Sequence, residues 1–129
     1  MLSEPIKSLP SRPVLDAIER HDGELATCAI VWHELRYGVA RLAASKKRQA
    51  IEAYLDEAIR GALPILPYDE EAAAWHARER ARLSRRGRPP SAADGQIAAI
   101  ARVNELVLVT ANTRDFRRFD GLSIEDWSR

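Results

Sequence analysis

One cysteine in 129 residues, Cys28, excludes an internal disulfide and any cysteine-based zinc site. It suits a reducing compartment, and a cytoplasmic location is expected. Long hydrophobic runs are equally missing. The chain opens with Glu4, Lys7 and prolines at 5, 10 and 13 where a signal core would need apolar residues, and no stretch reaches bilayer length, so no membrane partner is expected. The glycines at 23, 38, 61, 87, 95 and 121 never fall into G-x-G or a phosphate-cradling loop, which argues against dinucleotide or ATP binding. His21, His33 and His76 show no metal-ligand spacing and there is no G-x-S-x-G elbow, so each histidine reads as a surface or satisfied residue. A strong charge imbalance is absent too. At a net charge of +1, a nucleic-acid partner would have to be met by a local patch.

What is present is an ordinary globular mixture, 46% apolar and 30% charged, long enough for one domain over residues 1–129. Met1 to Pro10 reads as an irregular, proline-punctuated segment, and Ser11 caps a short helix to about His21, stopped by Gly23. Leu25 to Ile30 is a compact apolar run of the buried parallel-strand type. Helices follow from about Val31 to Leu42, with Leu35, Val39 and Leu42 on one face, and from about Lys46 to Ile59. Leu63 to Leu66 is a second strand. Asp69 caps a long helix that Gly87 closes, Ser91 caps another running to about Asn104, Leu106 to Thr110 is the cleanest strand, and Leu122 to Ile124 is a last edge strand. Strands alternating with helices give an α/β fold with a parallel sheet.

That topology places the acids. In a parallel sheet the helix after a strand starts at the strand's carboxyl edge, where open α/β sheets put their ligands. Glu34, in the first turn after the Leu25 strand, Asp115, just past the Leu106 strand, and Asp94, at the head of the helix leading into that strand, all belong at this edge. Ser91-x-x-Asp94 also has the form of a capping box, a purely structural reading that stands beside the chemical one. Three gathered carboxylates repel one another unless a cation intervenes, and Mg²⁺ or Mn²⁺ suits hard oxygen ligands and a shared phosphate. Phosphodiester hydrolysis is the chemistry such a site supports. A run of arginines at the end of the long helix, including Arg82, Arg85, Arg86 and Arg88, is either a solvated face or the local patch that RNA phosphates would need. No aromatics interleave it, so base stacking is not indicated.

The segments Trp32-His-Glu34-Leu-Arg-Tyr-Gly38, Gly87-Arg-Pro-Pro-Ser-Ala-Ala-Asp94-Gly-Gln-Ile-Ala-Ala-Ile-Ala101 and Leu108-Val-Thr110-Ala-Asn112-Thr-Arg-Asp115-Phe116 resemble, in order, the three downstream motifs of PIN-domain proteins. Within that family they look most like VapC-type toxins of toxin-antitoxin pairs. The resemblance implies a three-layer PIN-like fold and a metal-dependent endoribonuclease that cuts RNA, forms a homodimer and is held inactive by a cognate antitoxin. By the same resemblance Glu34, Asp94 and Asp115 match catalytic, metal-site acids, and Thr110 and Asn112 match their polar neighbours.

One departure stands out. The family pattern opens with a strand ending in an acidic motif, and this sequence begins where that motif would just have ended. By the resemblance that strand is central in a sheet of order 3-2-1-4-5. Its removal would leave two strand pairs separated by roughly 10 Å, since neighbouring strands lie about 4.8 Å apart. Pro5, Lys7 and Pro10 make the first ten residues poor substitutes, and Glu4 is the only nearby acid. A start upstream of Met1 is expected. The alternative is an inactive remnant that binds antitoxin or RNA without cutting.

Overall fold

The computed structural model describes residues 25–61 and 63–127. The expectations for Met1 to Pro10 and for the helix from Ser11 lie outside the described residues. Among the described residues, two short parallel strand pairs form the sheet elements. β1 (Thr27–Cys28) pairs with β2 (Ile65–Leu66), Thr27 opposite Ile65. β3 (Leu108–Val109) pairs with β4 (Ile124–Glu125), Leu108 opposite Ile124. No described strand joins one pair to the other.

β1 is shorter than its apolar run because the helix after it starts earlier. α1 (Ala29–Ala40) begins directly after Cys28 and buries Val31, Leu35 and Val39. Leu42, expected on that face, falls past its end and is exposed, while Val31 joins the buried stripe. The shift also moves Glu34 out of the first turn, which holds no acid. α2 (Lys46–Tyr54) is capped by Ser45, whose side chain accepts from the Arg48 amide, and runs into a π-helical segment (Leu55–Arg60) that buries Leu55 and Ile59.

α3 (Glu70–Arg85) is capped as expected by Asp69, which accepts from the Ala72 amide at 2.9 Å. Gly87 leaves it with φ +71, a left-handed conformation that glycine adopts without a side-chain penalty. α4 (Ala92–Val103) is the most deeply set helix: Gly95 and every residue from Ile97 to Ala101 are buried. Small residues on one side let α3 approach, and Ile97 and Ile100 fill the core with Leu83, Leu108 and Phe116. α5 (Thr113–Phe116) follows β3 and packs on β4 and α4. α1 in turn touches β1, β2 and α4. The chain thus carries α4 between a β1–β2–α1 half and a β3–β4–α5 half.

Two further side chains are buried away from the acids. Cys28, fully buried and free, has its thiol pushed up by burial, with backbone hydrogen bonds from Val31 and Ile30 opposing. Glu79, 7% exposed, receives both Nε and Nη2 of Arg82 at 2.8 Å and the Asp120 amide at 2.7 Å. Arg82 Nη2 also reaches the Arg118 carbonyl at 2.8 Å, so this pair fastens α3 to the segment between α5 and β4. Among the described residues, no helix is long and apolar enough to cross a membrane.

Candidate active site

The head of α4 is built from a stiff entry and a side-chain cap. Pro89 and Pro90 restrict the chain before Ser91, whose φ of −64 and ψ of 155 are extended, and the Ser91 hydroxyl accepts from the Asp94 amide at 3.1 Å. The Ser91 carbonyl takes the Gly95 amide at 3.1 Å. Asp94 is therefore fixed by its backbone in the first helical turn, half-buried. Burial pushes its carboxyl up from the ordinary range, the charge of Asp115 adds to the rise, and Ser91 and the Arg118 guanidinium oppose it.

Asp115 reaches the same place from α5. Thr110, only 3% exposed, extends β3 by donating its amide to the Glu125 carbonyl, and its hydroxyl accepts from the Asn112 amide at 3.0 Å. Asn112 does not cap α5 through its side chain; its Nδ2 instead donates to Asp115 Oδ2 at 2.9 Å. Arg118 Nε donates to the Asp115 carbonyl at 2.9 Å, which sets a cation beside both acids. The sequence singled out Thr110 and Asn112 but not Arg118, whose only signal was membership of an Arg117-Arg118 pair three residues past Asp115.

Glu34 is differently placed. It is the sixth residue of α1, roughly 7 Å along the axis from the helix start at about 1.5 Å per residue. Its side chain is 50% exposed and its carboxylate lies 3.6 Å from Nδ1 of His33. Among the described residues no three acidic, histidine or cysteine groups gather closely enough to hold a metal ion. The structure brings Asp94 and Asp115 into electrostatic reach of each other, and Glu34 does not complete a triad with them there. Two carboxylates still suit a hard divalent cation that keeps waters and shares a phosphate. An upward-shifted Asp94 facing a second acid is a place that such a charge relieves.

Behind Asp94 lies a histidine that spacing could not have found. His76 of α3, 8% exposed, is bonded through Nδ1 to the Tyr68 hydroxyl at 2.8 Å, while its buried Nε2 has no hydrogen-bond partner among the described residues. Burial, and then the charge of Arg80, hold its pKa below the usual histidine value. Of the four arginines read as RNA-facing, Arg82 is spent inside the fold on Glu79 and the Arg118 carbonyl. Arg85, Arg86 and Arg88 are exposed.

Comparison with known proteins decides the family. The PIN domain model matches residues 3–122. The chain belongs to the PIN domain family. Among PIN relatives it is similar to the tRNA(fMet)-specific endonuclease VapC of Shigella flexneri, 35% identical over 124 residues, covering 95% of this chain and 89% of that protein. The solved FitAcB structure from Neisseria gonorrhoeae superposes with a TM-score of 0.80 at 32% identity, covering 96% of each chain. VapBC-5 of Mycobacterium tuberculosis, from the VapBC family of toxin-antitoxin systems, gives 0.64 at 34% identity over 78% of this chain and 79% of that one. The α/β architecture is thus that of PIN proteins.

Proposed function

We propose that this PIN protein is a metal-dependent endoribonuclease toxin that hydrolyses RNA phosphodiesters and is silenced by a cognate antitoxin. The observation that carries the reading is the Asp94–Asp115 pair, backed by Asn112 and Arg118, at the head of two helices in a chain similar to a tRNA endonuclease and to a toxin-antitoxin protein. Asp94 and Asp115 would hold Mg²⁺ or Mn²⁺, with Glu34 the third family-matched acid. When bound, the ion would lower the pKa of a coordinated water and offset charge on the phosphoryl oxygen.

The chain's own residues do the rest. Asn112 fixes one oxygen of Asp115, so that carboxylate keeps a single orientation. Arg118 supplies positive charge beside the pair, where an anionic phosphate would otherwise be repelled. Arg85, Arg86 and Arg88 offer phosphate contacts further along the strand. By the same reading the protein acts in the cytoplasm as a homodimer, and free, buried Cys28 suits that compartment.

The test is cleavage of RNA by the purified chain in Mn²⁺, with and without Asp94→Asn. Cleavage that vanishes with the substitution supports the reading. RNA binding without cleavage by the unsubstituted chain would instead support a binding module, the reading favoured by Glu34 standing outside the acid pair.

A further inference from the structure

The Nε2 of His76, unpaired among the described residues, calls for a reason, because a buried polar atom without a partner opposes folding. Packing alone does not supply one: a phenylalanine would fill a similar space with no orphan nitrogen. What the imidazole adds is direction. Its Nδ1 is bonded to the Tyr68 hydroxyl, and the two rings meet edge-on at 6.0 Å and 75°. A hydrogen bond in the ring plane fixes how that plane is turned, which an apolar ring could not do.

The opposite edge of the imidazole presses on the turn that carries the acid. A Cβ at Gly95 would lie 2.0 Å from Nε2, 2.6 Å from Cδ2 and 2.8 Å from Cε1 of His76. The ring therefore occupies the space that a side chain at residue 95 would take, next to Asp94. From the other side the same turn is held by Ser91, through the Asp94 amide and the Gly95 amide. The first turn of α4 is thus gripped between its own cap and a ring whose orientation Tyr68 sets.

We propose that Tyr68 and His76 are a positioning pair for the first turn of α4, and through it for Asp94 as a metal ligand. The inference rests on the metal-site reading given above. It makes His76 neither a ligand nor a proton carrier. The imidazole works by where it stops the Gly95 backbone, and Tyr68 works by holding the imidazole at that angle.

The experiment is Mn²⁺ binding to the metal-free full chain, followed by electron paramagnetic resonance, together with the thermal midpoint of each variant. Tyr68→Phe removes only the hydrogen bond. His76→Asn retains a polar group to meet Tyr68 and withdraws the edge against Gly95. Asp94→Asn reports on the site itself. The expected result is that Asp94→Asn abolishes tight binding and that Tyr68→Phe and His76→Asn each weaken it by about tenfold, as for loss of an outer-shell partner. For Tyr68→Phe, the midpoint should fall by only a few degrees. Mn²⁺ affinities within twofold of the parent for both positioning variants, with Asp94→Asn still defective, would overturn the pair and leave the site reading intact. Unchanged binding in Asp94→Asn would overturn the site reading and the pair with it.

Discussion

α1 and α4 each bring an acid toward the sheet edge, and the two helices begin very differently. α4 starts from a diproline and a serine that caps it through its side chain, with Asp94 in the first turn. α1 starts from Cys28, which makes no side-chain cap bond, and has no acid in its first turn. Asp94 is half-buried, shifted by its surroundings and backed by His76 through Gly95. Glu34 is half-exposed beside His33. The acids on α4 and in the β3–β4 half thus arrive with their surroundings set, while the β1–β2 half contributes a half-exposed acid. Catalysis depends on such preset placement more than on residue type, so the halves should respond unequally to equal changes.

The largest difference is expected in cleavage. Asp94→Asn or Asp115→Asn should cost on the order of a thousandfold in kcat, since several kcal/mol of charge stabilisation pass through those groups. Glu34→Gln should cost about tenfold or less. Equal losses at all three positions, measured under single-turnover conditions, would erase the distinction between the halves. Next comes Gly95→Ala, which drives a methyl group into the buried, Tyr68-bound His76 ring and should cost about 3 kcal/mol in denaturant unfolding. Gly38→Ala in α1 meets no atom within 4 Å and should gain rather than lose stability.

Glu79→Gln, which weakens the tie between α3 and the segment before β4, should cost about 2 kcal/mol at neutral pH. Its pH dependence has a definite sign. Arg82, first among the causes, holds the Glu79 carboxyl below its ordinary value of 4.5. The unfolded chain therefore takes up that proton first, and the stabilisation is present above pH 4.5 and lost as pH falls through the depressed folded value. His76 behaves alike in a higher window. Its folded pKa lies below 6.5, so stability declines as pH drops from 6.5 toward the folded value, and His76→Asn should flatten that part of a melting profile while Glu79→Gln flattens the lower one.

The smallest expected effect is at the caps. Ser91→Ala and Ser45→Ala should each cost about 1 kcal/mol. Only Ser91→Ala should also lower kcat, because only that cap holds an acid-bearing turn. A kcat loss from Ser45→Ala would place the functional centre elsewhere.

Much of this was legible in the residues. Asp69 and Ser91 declared their helices because a short polar side chain before an apolar-periodic run has one good use, and both caps form. The alternation of apolar runs with amphipathic stretches gave the α/β class, and the Glu34, Asp94 and Asp115 motifs gave the family. Helix starts were less legible. Ala29 and Ile30 suit a strand as well as a helix, so α1 begins two residues earlier than its apolar pattern suggested, and Glu34 moves with it. Contacts made across the fold were not legible at all. Glu79 sits in an arginine-rich stretch with nothing in sequence to mark it and is the buried centre of a clamp, and His76 looked like a surface or satisfied residue because nothing near it in sequence announces Tyr68 or Gly95.

Cys28 turns the looser half into something that can be timed. It is the only thiol in the chain, wholly enclosed where β1 becomes α1, and burial keeps it in its unreactive protonated form. An alkylating reagent can reach it only when that junction opens. The rate of mass gain at one sulfur therefore clocks the opening of the β1–β2 half without altering an acid.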